Sequence, residues 1–402
     1  MFEKNNFFYN YYLNSKTINK NIKKTKRFFN TLLNDFKNFD IPLLKTFENN
    51  YSLDFSPSNL KKFSHYKNIV IIGMGGSILG TKSIYSFFKT KIKKKVFFFD
   101  NLDSNLHEEY KKIKNLNNSC FIIISKSGTT LETLANFCII FSKNLFKNKL
   151  IIITENKDST LMQIANEYDA EIIEHKDFIG GRYSVLSEVG MIPAALMGLN
   201  VSKFRNINKL IKNKKFISCL IYNVACIYSL KQKGIKNSVL LNYDSSLNDL
   251  CYWYQQLTGE SLGKKGLGIT PIISFGPKDH HSVLQLYLDG PKDKFFTFFT
   301  FKDKRDKFKI SKKIVPNSMK FMRNKSLQAL IDAQSLATKN VFSSKKIPFR
   351  QINLSKSGEG ELGKIFIFFI LETILLGRML NINPFDQPAV EQVKTETKKN
   401  LL

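Results

Sequence analysis

Two loops rich in glycine and hydroxyl groups are the first places where this chain could do chemistry. One lies in IVIIGMGGSILG and sets Gly73, Gly75, Gly76 and Ser77 between an apolar run and a helical stretch. Glycines let a backbone approach an anion, and a helix beginning near Ser77 offers unpaired N–H groups at a positive dipole end. A tight strand-to-helix turn also asks for glycine on steric grounds, so this loop alone leaves both readings open. The other loop, Ser125-Lys126-Ser127-Gly128-Thr129-Thr130, follows the apolar run FIIIS and leads into a helix carrying Glu132. Capping that helix takes a single hydroxyl. Four hydroxyls and a lysine around one glycine make instead a cradle for a phosphomonoester. Neither loop is a GxGxxG with a ribose-binding acid about 20 residues later, and neither contains the GK[ST] of a triphosphate-binding loop. Nucleotide binding is therefore not expected.

Four further clusters follow: Gly180-Gly181-Arg182-Tyr183-Ser184, Gln255-Gln256-Leu257-Thr258-Gly259-Glu260-Ser261-Leu262-Gly263-Lys264, Asp279-His280-His281-Ser282, and Phe385-Asp386-Gln387-Pro388-Ala389-Val390-Glu391-Gln392-Val393-Lys394. Taken singly, each has an ordinary explanation: a surface arginine, a solvated acid, histidines opening a helix, a charged tail. Two spacings nevertheless suit a site. Gln256 and Glu260 are four apart and would share a helix face. Gln387 and Lys394 stand two turns apart, with Pro388 suited to the first helical position.

Taken together and in order, GMGGS, SKSGTTLET, GGRYSVLSEVG, QQLTGESLGK, HHSVLQLYLDGP and FDQPAVEQVK resemble the glucose-6-phosphate isomerase family, in its compact bacterial form, from about Asn68 to Lys394. The resemblance implies a pair of sugar-isomerase (SIS-like) domains, no cofactor and no metal, and a homodimer. It puts the sugar phosphate on Ser125, Lys126, Ser127 and Thr130, with Gly76 and Ser77 lining the sugar and Gln387 helping to hold the phosphate end. Arg182 would face the reacting carbons, and Gln256 and Glu260 the C1–C2 edge. His281 and Lys394 would flank the ring oxygen. His281 is chosen over His280 because the family histidine directly precedes the Ser or Ala of its motif. It is expected to reach the site of the neighbouring subunit, so that each site is composite.

An aldose–ketose conversion explains why those residue types are needed. A closed ring requires a proton on the ring oxygen and loss of one from the anomeric hydroxyl, roles suited to His281 and Lys394. One carboxylate, Glu260, placed between two adjacent carbons can move a proton from C2 to C1 through a cis-enediol or enediolate. Arg182, protonated at any working pH, would offset the charge that develops on oxygen. No HxH, HExxH or carboxylate-rich set supplies a metal site.

The elements that must position these groups follow from pattern. Residues 1–50 read as an amphipathic helical arm, with Phe7, Tyr11, Leu13, Phe28, Leu32, Leu33 and Phe36 as apolar anchors. From Asn68 the short runs NIVIIG, KVFFFD, CFIIIS and KLIIIT alternate with helical stretches, as strands of a parallel sheet do when crossover helices cover both faces. NSVLLNY, TPIISF and FFTFFTF repeat that rhythm among helices at 214–231, through Trp253, at 319–338, at 362–380 and from Pro388. The expected architecture is α/β: two doubly wound parallel-sheet domains, 51–200 and 201–402, with helical N- and C-terminal extensions.

Composition sets the outer limits. The apolar fraction is 43% of 402 residues, enough for two ordinary cores. Ile365–Leu376, the longest apolar run, contains Glu372 and falls short of the roughly 18 residues of a membrane span. Five cysteines without CxxC spacing suit a reducing cytoplasm, the expected location. The net charge of +29 is spread through lysines interleaved with Asn, Ile and Phe, with no nucleic-acid motif. It is read as a diffuse bias that helps to gather an anionic sugar phosphate, not as a nucleic-acid or membrane surface. Residues 1–50 and the lysine-rich stretch 301–313 match no family motif.

Overall fold

The structure is a computed structural model that describes residues 13–113, 115–142, 149–301, 308–354 and 357–402. Phe7, Tyr11 and positions 302–307 of the lysine-rich stretch lie outside the described residues. Among the described residues nine strands form two sheets, both wholly parallel. The first has the order β2-β1-β3-β4-β5, from β1 (Asn68–Gly73), β2 (Lys95–Phe99), β3 (Ser119–Ile124), β4 (Leu150–Thr154) and β5 (Glu171–Glu174). The second has the order β7-β6-β8-β9, from β6 (Asn237–Asn242), β7 (Thr270–Phe275), β8 (Lys294–Phe301) and β9 (Phe349–Leu354). The two sheets share one winding, in which the chain starts inside, steps to one edge and returns past its start.

β1, β3 and β4 are buried at every position, which is why their sequences are apolar except at their ends. Alternation then divides them: Ile69, Ile71, Ile122 and Ile151 face one core, while Val70, Ile72, Phe121 and Ile123 face another. The helices that bear on the site are α1 (Ser15–Asn38), α2 (Leu79–Phe88), α3 (Leu131–Phe141), α4 (Lys214–Gln232), α5 (Asn248–Leu262), α6 (Leu327–Ser344), α7 (Glu359–Leu380) and α8 (Val390–Leu401). The largest core runs between the sheets and gathers residues of α1, α2, α4, α5 and α7, so the two units share apolar interior.

Within that core Arg350 of β9 pairs with Glu372 of α7 at 2.6 and 3.0 Å, and it also meets Tyr254, Asn223 and Thr297. Both charges are buried, so removing one partner alone would strand the other at a cost of roughly 3–5 kcal/mol.

Four features differ from the sequence reading. β5 and β9 were not expected as strands. A single helix over 319–338 is instead a 3-10 turn, Asn317–Met322, followed by α6 from Ser326, whose hydroxyl caps it. Ser77 lies in a 3-10 turn and the helix after it begins at Leu79. Pro388 precedes the last helix, which starts at Val390, so Gln387 and Lys394 do not ride on one helix.

Candidate active site

In a doubly wound sheet, ligands bind beyond the carboxyl ends of the strands where the winding reverses. In the first sheet that point lies between β1 and β3, the strands followed by the Gly76 and Ser125 loops. A Cβ added to Gly76 would lie 2.1 Å from the carbonyl carbon of Gly181, so only glycine lets this loop meet the GGRYS turn. Ser184 closes the contact by donating to the Gly76 carbonyl at 3.2 Å.

The Ser125 loop is held by its own hydrogen bonds. Ser125, itself buried, shares a 2.8 Å hydrogen bond with the Thr130 hydroxyl, and Ser127 Oγ accepts from the Thr129 N–H and hydroxyl at 3.3 and 3.1 Å. Gly128 has φ +69°, and a Cβ there would come within 2.2 Å of Ser159 Oγ. Thr130 stands at the N-cap of α3 but makes no side-chain cap bond, so the hydroxyl is not spent on closing the helix. The Lys126 ammonium is held to the Asp177 carbonyl at 2.7 Å and lies 3.5 Å from Glu155. Beside them His175 is buried with Nε2 unpartnered, and burial pushes its pKa down to about 4.

Arg182 is the hub of the crevice. It is buried, and each of its five N–H groups has a partner: Nε donates to Ser261 Oγ at 2.7 Å, Nη2 to the carbonyls of Pro384 and Asp386 at 2.7 and 3.0 Å, and Nη1 to Glu260 Oε2 at 3.3 Å and to Gln387 Oε1. Gln256 donates to the other oxygen of Glu260 at 2.9 Å, which places the pair on one face of α5. Glu260 keeps 29% of its side-chain surface exposed while Arg182 keeps 1%, so the carboxylate faces solvent and the cation is fixed behind it.

Three partners of this hub were not singled out from sequence. Ser261 bridges Arg182 and Tyr183, and burial raises the Tyr183 pKa. Lys264 bonds the Asn383 carbonyl at 2.5 Å and the Asp386 carboxylate at 2.7 Å, tying the segment that bears Gln387 to the end of α5. That lysine was visible in GESLGK, but its partner more than a hundred residues away was not.

The structure does not bring the other two candidates to this hub within one chain. His281 lies in the turn Lys278–His281, pinned to the end of β7 by Asp279, which accepts from the Phe275 N–H at 2.7 Å and the Ser274 hydroxyl at 2.8 Å. Burial alone would raise the Asp279 pKa, but these hydrogen bonds hold it below the usual range. His280 turns inward to Tyr243 at 2.7 Å, and His281 is left exposed. Lys394 sits on α8, exposed along its whole length, and its ammonium bonds Glu391 at 2.6 Å. Among the described residues no three His, Cys, Asp or Glu side chains gather as metal ligands, and no helix is long and apolar enough to cross a membrane.

Residues 55–293 match the model of the phosphoglucose isomerase family. The chain is 36% identical over 343 residues to the glucose-6-phosphate isomerase of Methanocaldococcus jannaschii, covering 83% of this chain and 84% of that one. It is 32% identical to the Campylobacter jejuni enzyme of the same name, covering 90% and 92%. In structure it resembles a hypothetical protein of Thermus thermophilus, with a TM-score of 0.77 at 22% identity over 97% and 92% of the two chains. It also resembles a glucose-6-phosphate isomerase of Chlamydia trachomatis, with a TM-score of 0.71 at 20% identity over 85% and 70%; at such identities these two speak for the fold. The match takes in the Gly76 and Ser125 loops, the Arg182 turn, α5 and the His281 turn, and it carries the conclusion that this chain belongs to the phosphoglucose isomerase family.

Proposed function

We propose that the protein interconverts D-glucose 6-phosphate and D-fructose 6-phosphate, as a cytoplasmic enzyme of glycolysis and gluconeogenesis that works as a homodimer. The observation that carries the reading is the contact of Glu260, partly open to solvent, with the buried and fully bonded Arg182, beside the Gly76 loop that packs against the same turn.

The phosphate sits in the Ser125–Thr130 loop, drawing Lys126 away from the Asp177 carbonyl, with the N–H groups of α3 behind it. Gly76 and Ser77 line the sugar, and Gln387 turns from Arg182 toward the phosphate end. His281 of a second copy and Lys394 open the ring by moving protons at O5 and the anomeric hydroxyl. Glu260 then takes the C2 proton and returns it to C1, while the hydroxyl proton passes from O2 to O1. Arg182 Nη1, released by Gln387, meets the enediolate oxygen. A cation already locked in place has little reorganisation left to do as charge develops. Gln256 steadies Glu260 between the two carbons.

The decisive experiment is a coupled assay from fructose 6-phosphate with excess chelator. Turnover undiminished by the chelator is expected. Folded protein that fails to turn over, or turnover lost with the chelator, would reject the proposal.

A further inference from the structure

The opposite end of the first sheet holds a cleft that the isomerisation does not use. It opens at the amino ends of β1 and β2, has a volume of about 530 Å³, and is lined by Lys67, Lys93, Lys94 and Lys95 with Asn115 and Asn118 across from them. A second cavity of about 650 Å³ joins it at Ser64, Lys93 and Lys94. That cavity adds Lys61 and Lys91 over an apolar floor that includes Phe55, Leu196 and Met197. No Asp or Glu lines either cavity.

The lysines are gathered by the fold. Asn68 pairs with Lys95 in the β1–β2 register, and the Lys95 N–H bonds the Lys67 carbonyl at 3.0 Å, so Lys67 and Lys93–Lys95 flank adjacent strand starts about 4.8 Å apart. Elsewhere many surface lysines are paired, Lys62 with Glu171 and Lys111 with Glu108 among them, whereas none of the cleft's lysines has a carboxylate partner among the described residues. Lys94, at the junction of the cavities, is half-buried. Its ammonium is held by the Ser64 carbonyl at 2.9 Å, and burial lowers its pKa. A half-buried ammonium beside others that lack a carboxylate is costly until an anion arrives.

We infer that this cleft binds a small organic polyphosphate, with its phosphoryl groups among Lys67, Lys93, Lys94 and Lys95 and its organic portion over the Phe55–Met197 floor. The volume suits a small molecule. Four lysines around one opening exceed what one phosphate can use, and the apolar floor has no use for an inorganic chain.

The test is calorimetric titration of the full chain with tripolyphosphate and with ATP at physiological salt. One site per chain is expected, with ATP several-fold tighter than tripolyphosphate. Removing two charged contacts in Lys67→Gln/Lys95→Gln should weaken binding by at least about tenfold. Turnover of the sugar phosphate should stay unchanged in that variant. Lys111→Gln/Lys112→Gln removes equal charge elsewhere and should leave affinity alone, as should Ser125→Ala in the catalytic crevice. Equal weakening by both lysine pairs would reduce the cleft to part of a diffuse positive field. Loss of binding in Ser125→Ala would move the ligand to the crevice. ATP no tighter than tripolyphosphate would overturn the role of the apolar floor, and a preference for duplex RNA over both would overturn the small-molecule assignment.

Discussion

The crevice around Arg182 and the surface that carries His281 and Lys394 are built in opposite ways. At the first, every donor of a buried cation is taken, a Cβ on Gly76 would lie 2.1 Å from a backbone carbonyl carbon, and the acid is gripped from both sides by Arg182 and Gln256. At the second, one histidine and one lysine stand exposed, with no bond from either to Arg182, Glu260, Gln256 or Gln387. On the proposed mechanism the proton shuttle between C1 and C2 needs a fixed distance between base and cation, and the contact of Glu260 with Arg182 would provide it from one chain. Ring opening would need groups on another side of the sugar, and one chain leaves the proposed ones apart from that contact.

The sharpest way to break this contrast is at Glu260. Glu260→Gln keeps the bond to Gln256 and the volume but removes the base, so exchange of the C2 proton with solvent should vanish while a competitive sugar-phosphate inhibitor still binds. Near-normal exchange would mean that the well-built corner is not where the proton moves. Arg182→Lys is next. Lysine cannot reproduce five fixed donors, and turnover should fall by roughly 10²-fold or more, the scale of losing one fixed oxyanion contact. A variant that lost only substrate affinity would make the arginine a binding group. Smaller again is Ser125→Ala, which removes one hydroxyl from a loop that keeps its other donors. KM should rise about tenfold with kcat little changed, as for one hydrogen bond to a charged group. A fall in kcat alone would place the phosphate elsewhere.

The same contrast governs what the sequence could disclose. β1, β3 and β4 were legible because burial on both faces leaves an unbroken apolar run between their ends. β5 (EIIE) and β9 (FRQINL) were missed because they are edge strands whose polar residues have uses that only the fold reveals: Arg350 is buried on a partner in α7, and Glu171 pairs with Lys62. Gln256 and Glu260 could be placed on one face because helix spacing is local. Gln387 could not, because the helix starts after it, and its position is set by Arg182 and by the Lys264–Asp386 pair. Contacts of this kind span more than a hundred residues and leave no periodic trace.

If the exposed region is completed by a second copy, damage to the two regions should be separable between chains. Glu260→Gln and His281→Ala would each be inactive alone, since the first removes the base and the second the group that opens the ring. In a symmetric dimer with shared sites, a heterodimer of the two variants has one site carrying both lesions and one carrying neither. Random exchange makes half the population heterodimeric, so activity should return to about one quarter of the wild-type value, in proportion to heterodimer seen by mass. The outward turn of His281 supports this outcome, because Asp279 and His280 already hold the turn to its own chain and leave that ring to be used elsewhere. Verified exchange without recovery would show that Glu260 and His281 serve one site from one chain. The turn after β7 would then have to swing toward Arg182 when substrate binds, and fluorescence from a label at Ser282 should report that motion.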